Sequence, residues 1–272
     1  MSELAAFARL LSAVAPWSDR LVIVGGWAHR LYHVHPMAHA PAHRPLVTLD
    51  ADLAFNEPRE IHGDIRTALA QAGFRQNLFG EHTPPVAHYE LGDDAGGFYT
   101  EFLTPLRGSG IKRKGAVDAT VATAGITAQK LRHLELLLVA PWNIRLLPGS
   151  SIPVNAQIDV RLPNPVSFLV QKLLIHEDRH PDKRAQDVLY LHDTLLLFGA
   201  HEETLQHLWH NSVLPSLTAK QVAAVKRCLD THFASVTDNI RRAATLPADR
   251  TLDPRRVQAL CEGGLRAICS WG

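Results

Sequence analysis

The pattern of hydrophobic and polar positions is most informative between residues 46 and 55, where the chain reads LVTLDADLAF. The apolar run predicts a β-strand, and two carboxylates, Asp50 and Asp52, interrupt it two residues apart. Side chains at i and i+2 of a strand point to the same face, so Asp50 and Asp52 should project together while Ala51 and Leu53 face a core. Two neighbouring anions repel, and hard oxygen ligands of this kind suit Mg²⁺ with a bound phosphate. A strand end at which both side chains simply meet water is the alternative.

A second apolar run, LVIV at residues 21–24, ends in the glycine pair Gly25 and Gly26. The residues that follow, as far as Tyr32, predict a helix. A strand that ends in two glycines before a helix lets backbone N–H groups approach a phosphate, and the helix N-terminus adds a favourable field. The alternative is a plain strand-to-helix turn.

Hydrophobic periodicity along the rest of the chain predicts both strands and helices up to about residue 160 and only helices from Pro163 onward. The predicted elements are a helix from Ser2 to Pro16, a helix from Pro58 to Ala72, strands Pro85–Leu91 and Phe98–Leu106 around a glycine-rich turn, a helix-like segment Val117–Leu138, strands and turns in Pro141–Val160, and helices at Pro165, Asp182–Phe198, Thr218 and Pro254. We therefore expect an α/β domain over residues 1–162 and a helical domain over residues 163–272.

A third carboxylate stands out in the predicted strand FYTEFLTPL, where Glu101 lies among aromatic and apolar residues. A lone carboxylate in an apolar strand is costly unless it is paired or bound to a metal. Glu101 is therefore the candidate partner of the two aspartates, and Asp159 in the later strand VNAQIDV is its rival. Strand alternation that points Glu101 outward to solvent is the alternative.

Composition describes an ordinary globular protein of 272 residues, with 46% hydrophobic and 20% charged residues. The net charge of +1 gives no general attraction to nucleic acid or to a membrane. The three cysteines lack CxxC spacing, which indicates reduced thiols. Glu3 and Arg9 interrupt the apolar N-terminal stretch, and no apolar run approaches the ~20 residues that span a bilayer. We therefore expect a cytoplasmic protein.

Two further segments are rich in side chains that can bind ligands. Residues 33–45 are rich in histidine and proline, but their spacing matches no zinc pattern, and they predict a solvated loop. Residues 107–115, RGSGIKRKG, form a basic loop that could close over a polyphosphate or contact RNA. A solvated turn is the interpretation we prefer for this loop.

The chain resembles the nucleotidyltransferase superfamily of the polymerase-β type, whose signature is hG[GS], a spacer, and Dh[DE]h. Those motifs are matched by Val24-Gly25-Gly26 and by residues 49–53, LDADL. Segments 163–175, PNPVSFLVQKLLI, and 182–195, DKRAQDVLYLHDTL, resemble the AbiEii-like branch of toxin-type and uncharacterised members. One departure is the spacer, which is longer than usual for the family because of the inserted histidine-rich segment.

The resemblance implies a nucleotidyltransferase-type mixed sheet flanked by helices and followed by a helical C-terminal domain. It implies transfer of a nucleoside monophosphate from an NTP to a hydroxyl on tRNA, a protein or a small molecule, with a protein antitoxin as a further partner and no membrane role. It implies two Mg²⁺ ions, with Mn²⁺ as a substitute, held by Asp50, Asp52 and Glu101. The nucleotide-binding residues it implies are Gly25, Gly26, Lys172, Lys183 and Asp187.

Each of these helical residues also has an ordinary interpretation. Lys172 lies beside a leucine stripe and can extend along it to solvent, while Lys183 and Asp187 have the spacing of an exposed i,i+4 ion pair. A catalytically degenerate fold that binds nucleotide or a partner protein is the alternative function. The intact DxD motif counts against it. A phosphohydrolase on the same carboxylates would need an H-D metal motif that the sequence does not show.

Overall fold

The computed structural model describes residues 1–39, 43–92, 97–111 and 115–270, and the chain forms two compact units. The first unit comprises Met1–Ala28 and Val47–Pro163, and the second comprises His29–Leu46 and Asn164–Gly272. The predicted glycine-rich turn at 92–97 and the predicted basic loop at 107–115 fall partly outside the described residues, at positions 93–96 and 112–114.

A mixed β-sheet is the centre of the first unit. The strands of this unit are β1 (Val22–Val24), β2 (Asp50–Ala54), β3 (Phe74–Phe79), β4 (Val86–Leu91), β5 (Tyr99–Pro105), β6 (Thr120–Thr123), β7 (Ile126–Leu131), β8 (Trp142–Leu146) and β9 (Ile158–Leu162). The main sheet has the order β1-β2-β5-β4-β3, with β7 also paired to β5 and β6 to β7, whereas β8 and β9 form a separate antiparallel pair. Strand β2 is antiparallel to β1 and parallel to β5. The predicted mixed sheet is therefore confirmed.

Three α-helices begin in the described part of the first unit, and two of them start at a side-chain cap. They are α1 (Glu3–Val14), α2 (Gly25–Tyr32), which starts directly after β1, and α3 (Ile65–Gln71). The Ser2 hydroxyl accepts a hydrogen bond from the Ala5 backbone N–H at 3.3 Å, as expected of a helix N-cap. The helix predicted over 58–72 is instead a short 3-10 turn followed by α3. Gly63 separates them with a φ of +90°, and Asp64 caps α3.

The prediction of a helix-like segment at 117–138 is wrong. The chain there forms β6, β7 and only then a 3-10 helix, Leu134–Leu138. Strand β7 pairs in parallel with β5, with Phe102 opposite Ala128, and this ladder overrides the leucine spacing on which the prediction rested. Strand β3, which the sequence pattern did not predict, forms by pairing antiparallel with β4.

The second unit is helical, as predicted. Its helices are α4 (Pro165–Ile175), α5 (Pro181–Phe198), α6 (Glu202–Leu208), α7 (Leu214–Ser216), α8 (Ala219–His232), α9 (Asp238–Thr245) and α10 (Pro254–Ile268), with a π-helical turn at Trp209–Val213. Asn164 caps α4, and Thr218 with Gln221 forms the expected capping box of α8. Within the described ranges no helix is both long enough and apolar enough to cross a membrane.

Residues 29–46, which we predicted to belong to the first domain, pack with these helices instead. The Tyr32 ring lies edge-on to the rings of Phe168 and Phe198, at centroid distances of 5.6 and 5.3 Å. The His39 backbone N–H donates to the Leu197 carbonyl at 2.8 Å. Residues 29–46 therefore form part of the helical unit.

Candidate active site

The glycine pair brings backbone close to one of the two aspartates. Gly25 follows β1 and opens α2 with a φ of +65°, a left-handed conformation that favours glycine. A Cβ atom built on Gly25 would lie 2.4 Å from Oδ2 of Asp52, so no other residue fits there without displacing the carboxylate. Gly26 is the second residue of α2. The predicted arrangement of strand, glycine pair and helix is thus present.

Asp50 and Asp52 lie on one face of β2, as the alternation predicts. Both side chains are half-buried, whereas Ala51 and Leu53 between and after them are fully buried on the other face. The Thr48 hydroxyl donates a hydrogen bond to Oδ1 of Asp50. The two carboxylates are therefore held together on the more open side of the sheet.

Glu101 joins them from the neighbouring strand. In the parallel register of β2 and β5, Asp52 lies opposite Glu101 and Asp50 lies opposite Tyr99. Oε1 of Glu101 is 2.8 Å from Nε2 of His88, and Oε2 accepts a hydrogen bond from the Gln129 amide at 2.6 Å.

The Glu101 side chain is only 17% exposed. Burial raises the pKa of its carboxyl group, and the negative charge of Asp50 adds to that rise. His88 and Gln129 act in the opposite direction, because they stabilise the charged form. The Tyr99 hydroxyl also has a raised pKa, about 12, from burial first and then from Asp50 and Glu101. The local field at this point of the sheet is therefore negative.

Asp159, the rival third carboxylate, is placed differently. It lies on β9 outside the main sheet, is exposed, and accepts from Nε of Arg145 at 2.7 Å. The hydrogen bond from Arg145 lowers the pKa of Asp159. Asp159 also lines a small cavity with Ile23 and Leu53, and Leu53 points away from the face of β2 that carries the aspartates. The geometry thus favours Glu101 over Asp159.

Two of the three predicted nucleotide-binding residues of the second unit, Lys172 and Asp187, form a buried ion cluster with Arg179. Nζ of Lys172 on α4 lies 2.7 Å from Oδ1 of Asp187 on α5, and Nε of Arg179 lies 3.0 Å from Oδ2. Lys172 is 5% exposed, and its ammonium group lies 5.4 Å from the ring centres of Phe168 and Tyr190.

Burial alone would raise the pKa of Asp187, but Lys172 and Arg179 outweigh it and hold that pKa below its usual value. The interpretation of Lys183 and Asp187 as an exposed i,i+4 pair is therefore wrong, since Asp187 is buried and pairs with these other two cations. Lys183 itself is exposed on α5. Sequence reasoning missed Arg179. This residue lies in the turn before α5, so no helical spacing relates it to Asp187.

The prediction of a solvated loop at 33–45 holds for His39, which is exposed, but is wrong for His33 and His43; residues 40–42 lie outside the described part. His33 and His43 are largely buried with ring centroids 5.7 Å apart, and His29, one helical turn earlier, is fully buried. Burial first lowers the pKa of His29 to about 3 and that of His33 to about 4. These rings are neutral parts of the helical core, next to Asp193.

No group of three or more His, Cys, Asp or Glu side chains in the described ranges is arranged to hold a metal ion by itself. That finding is compatible with Mg²⁺, which is usually held by one or two carboxylates together with substrate phosphates and water. Asp50 and Asp52 supply hard oxygen donors on one face, with the glycine backbone beside them. The donor set therefore fits Mg²⁺ delivered with a nucleotide.

Comparison with known proteins gives the family of the chain. No curated protein sequence matches the chain. A protein-family model described as nucleotidyltransferase matches residues 2–214, which is most of the 272 residues. The chain therefore belongs to the nucleotidyltransferase family.

Proposed function

We propose that this protein is a Mg²⁺-dependent enzyme that transfers a nucleoside monophosphate from an NTP to an acceptor hydroxyl. The observation that carries the proposal is the set of three carboxylates on one sheet face, with Gly25 against Asp52. In the reaction the bond between the α-phosphorus and the β-phosphate oxygen breaks, and a bond to the acceptor oxygen forms. Pyrophosphate and the hydroxyl proton leave.

Each part of the site has a role that follows from its chemistry. Asp50 and Asp52 would hold the metal, and Glu101 would complete the donor set on the acceptor side. Mg²⁺, or Mn²⁺ in its place, would supply charge neutralisation and Lewis-acid polarisation of the transferred phosphoryl group. The N-terminus of α2 at Gly25 and Gly26 would bind phosphate oxygens through backbone N–H groups.

The triphosphate-binding roles of Lys172, Lys183 and Asp187 remain part of the proposal. The buried cluster bears on how they would act. Asp187 neutralises Lys172 and holds Nε of Arg179, so Lys172 acts through Asp187 rather than by direct contact. Lys183 is exposed, unlike Lys172. We propose Lys183 as the counter-charge to phosphate.

The test is incubation of the protein and Mg²⁺ with each α-³²P-labelled NTP, in separate reactions with total tRNA, with protein extract and with the enzyme alone. We expect the label to appear in one class of acceptor and one NTP to be the best substrate. The double variant Asp50→Asn/Asp52→Asn should transfer no label. Nucleotide binding without transfer to any acceptor would favour the degenerate binding module. Equal labelling by the double variant would refute the assignment of the site. Abolition of transfer on coexpression with the product of a neighbouring gene would support an antitoxin.

A further inference from the structure

Glu101 is held at both of its carboxylate oxygens by side chains from other strands. Nε2 of His88 on β4 lies 2.8 Å from Oε1, and the amide of Gln129 on β7 donates to Oε2 at 2.6 Å. Strand β5 pairs with β2 along one edge. Along its other edge it pairs first with β4 and then with β7. Glu101 lies where the partner of β5 changes from β4 to β7, so both side chains reach it from the side opposite Asp52.

The His88 ring is itself fixed by its neighbours on the adjacent strands. It stacks on Tyr99, with centroids 4.9 Å apart and planes 14° apart, and its other neighbour is Phe79 at 4.5 Å. Rotation of His88 away from Glu101 would therefore break two ring contacts. Ring contacts of this kind contribute stabilisation beyond the area that they bury. The imidazole next to Oε1 is thus pre-oriented.

This arrangement counteracts a repulsion that the site would otherwise suffer. The three carboxylates of Asp50, Asp52 and Glu101 face the same side on two neighbouring strands. A glutamate has enough rotatable bonds to turn away from two like charges, whereas the hydrogen bond from Gln129 and the ionic contact with His88 hold it in place. Each bonded oxygen keeps a second lone pair for a further ligand.

We propose that His88 and Gln129 are positioning residues that hold the Glu101 carboxylate ready to join Asp50 and Asp52 in binding the divalent cation. The inference rests on the proposed function, because it concerns the same site. Partners of this kind, which bind a metal ligand rather than the metal, are each worth 10- to 100-fold in metal affinity or activity.

The variants separate hydrogen bonding from packing. His88→Phe keeps a ring between Phe79 and Tyr99 but removes the polar contact with Glu101, and His88→Gln restores a polar group at a similar reach. Gln129→Met keeps the length of the side chain and removes the amide. The matched control is Gln76→Met. Gln76 donates to the Tyr89 hydroxyl at 3.3 Å from a position on β3 that faces the other side of the sheet.

The primary measurement is the affinity for Mn²⁺ alone, by electron paramagnetic resonance at one pH, with melting temperatures to verify folding. We expect His88→Phe and Gln129→Met each to weaken Mn²⁺ binding 10- to 100-fold, while His88→Gln stays within about threefold of wild type and Gln76→Met is unchanged. In a Glu101→Gln background, neither substitution should weaken binding further. His88→Phe and Gln129→Met should also lower kcat for transfer and leave the KM for the NTP nearly unchanged.

Wild-type affinity in both His88→Phe and Gln129→Met would overturn the inference, and so would an equal further loss in the Glu101→Gln background. If His88→Phe does not fold, His88→Gln against Gln129→Met still decides the matter. Failure of the proposed function gives a different result. The variants would then still differ in Mn²⁺ affinity as expected, while the wild-type protein transfers no nucleotide. Normal transfer by every variant would leave the proposed function intact and refute the positioning role.

Discussion

The buried ion pair of Lys172 and Asp187 allows a quantitative prediction for Lys172→Met. The two charges are 2.7 Å apart, and both side chains are almost completely removed from solvent. Methionine is unbranched and apolar, so it keeps most of the packing of the lysine stem and removes only the ammonium group. The substitution therefore leaves Asp187 as a buried carboxylate with one remaining cation, Arg179.

The expected loss follows from that geometry. Removal of one partner of a buried pair costs about 3–5 kcal/mol, because the other charge is left uncompensated. Arg179 still pairs with Asp187 at 3.0 Å, but its side chain is 37% exposed, so solvent screens part of its effect. We therefore expect Lys172→Met to lower the free energy of unfolding by about 3 kcal/mol, at the lower end of this range.

Urea unfolding at pH 7 without nucleotide measures this quantity. Lys183→Met is the matched control, since Lys183 is exposed, and it should change the free energy of unfolding by less than about 0.5 kcal/mol. The double variant Lys172→Met/Asp187→Leu should recover most of the loss, because apolar residues can replace a buried pair at little cost. A midpoint for Lys172→Met equal to that of wild type would show that the pair contributes nothing and refute the reasoning.

Three further predictions concern the carboxylate site and the histidine core. Gly25→Ala should abolish most transfer and lower stability by about 1–3 kcal/mol, because its Cβ would meet Asp52 at a φ of +65°; unchanged transfer and melting would contradict this. Asp50→Asn and Asp52→Asn should each abolish transfer yet leave the melting temperature without metal unchanged or raised, since one like charge is removed; a lower melting temperature would argue against repulsion. Burial lowers the pKa of His29 from 6.5 to about 3, so the folded state binds fewer protons than the unfolded state between those values. The free energy of unfolding is therefore highest above pH 6.5. Protonation of His29 in the unfolded state should lower it by about 2 kcal/mol at pH 5. In a plot of the urea unfolding midpoint against pH, His29→Phe should have a smaller slope between pH 5 and 6.5 than wild type. An unchanged slope would contradict the role assigned to His29.

Local chemistry determined the parts of this protein that the sequence predicts well. Alternation in LVTLDADLAF places Asp50 and Asp52 on one face because the period of a strand is two, whatever the strand packs against. Caps such as Ser2 and Thr218 mark helix starts because the hydrogen bond involved spans only three residues. The fold class and the central pair of carboxylates were therefore predictable from short-range patterns.

Tertiary structure decided which distant residues meet. The parallel register of β5 with β2 brings Glu101 opposite Asp52, while His88 and Gln129 reach Glu101 from strands 13 positions before it and 28 after it in the chain. No local period encodes such contacts, because they depend on strand order.

Burial of charged and titratable side chains was likewise set by packing. Lys172 and His29 lie in stretches whose sequence is compatible with a surface position, yet both are buried among aromatic rings of the helical unit. A leucine stripe shows that a helix has a core-facing side but does not show which cation will find a carboxylate on another helix. That outcome depends on how α4 and α5 pack, because a charge is stable in a core only where a distant partner offsets the loss of water.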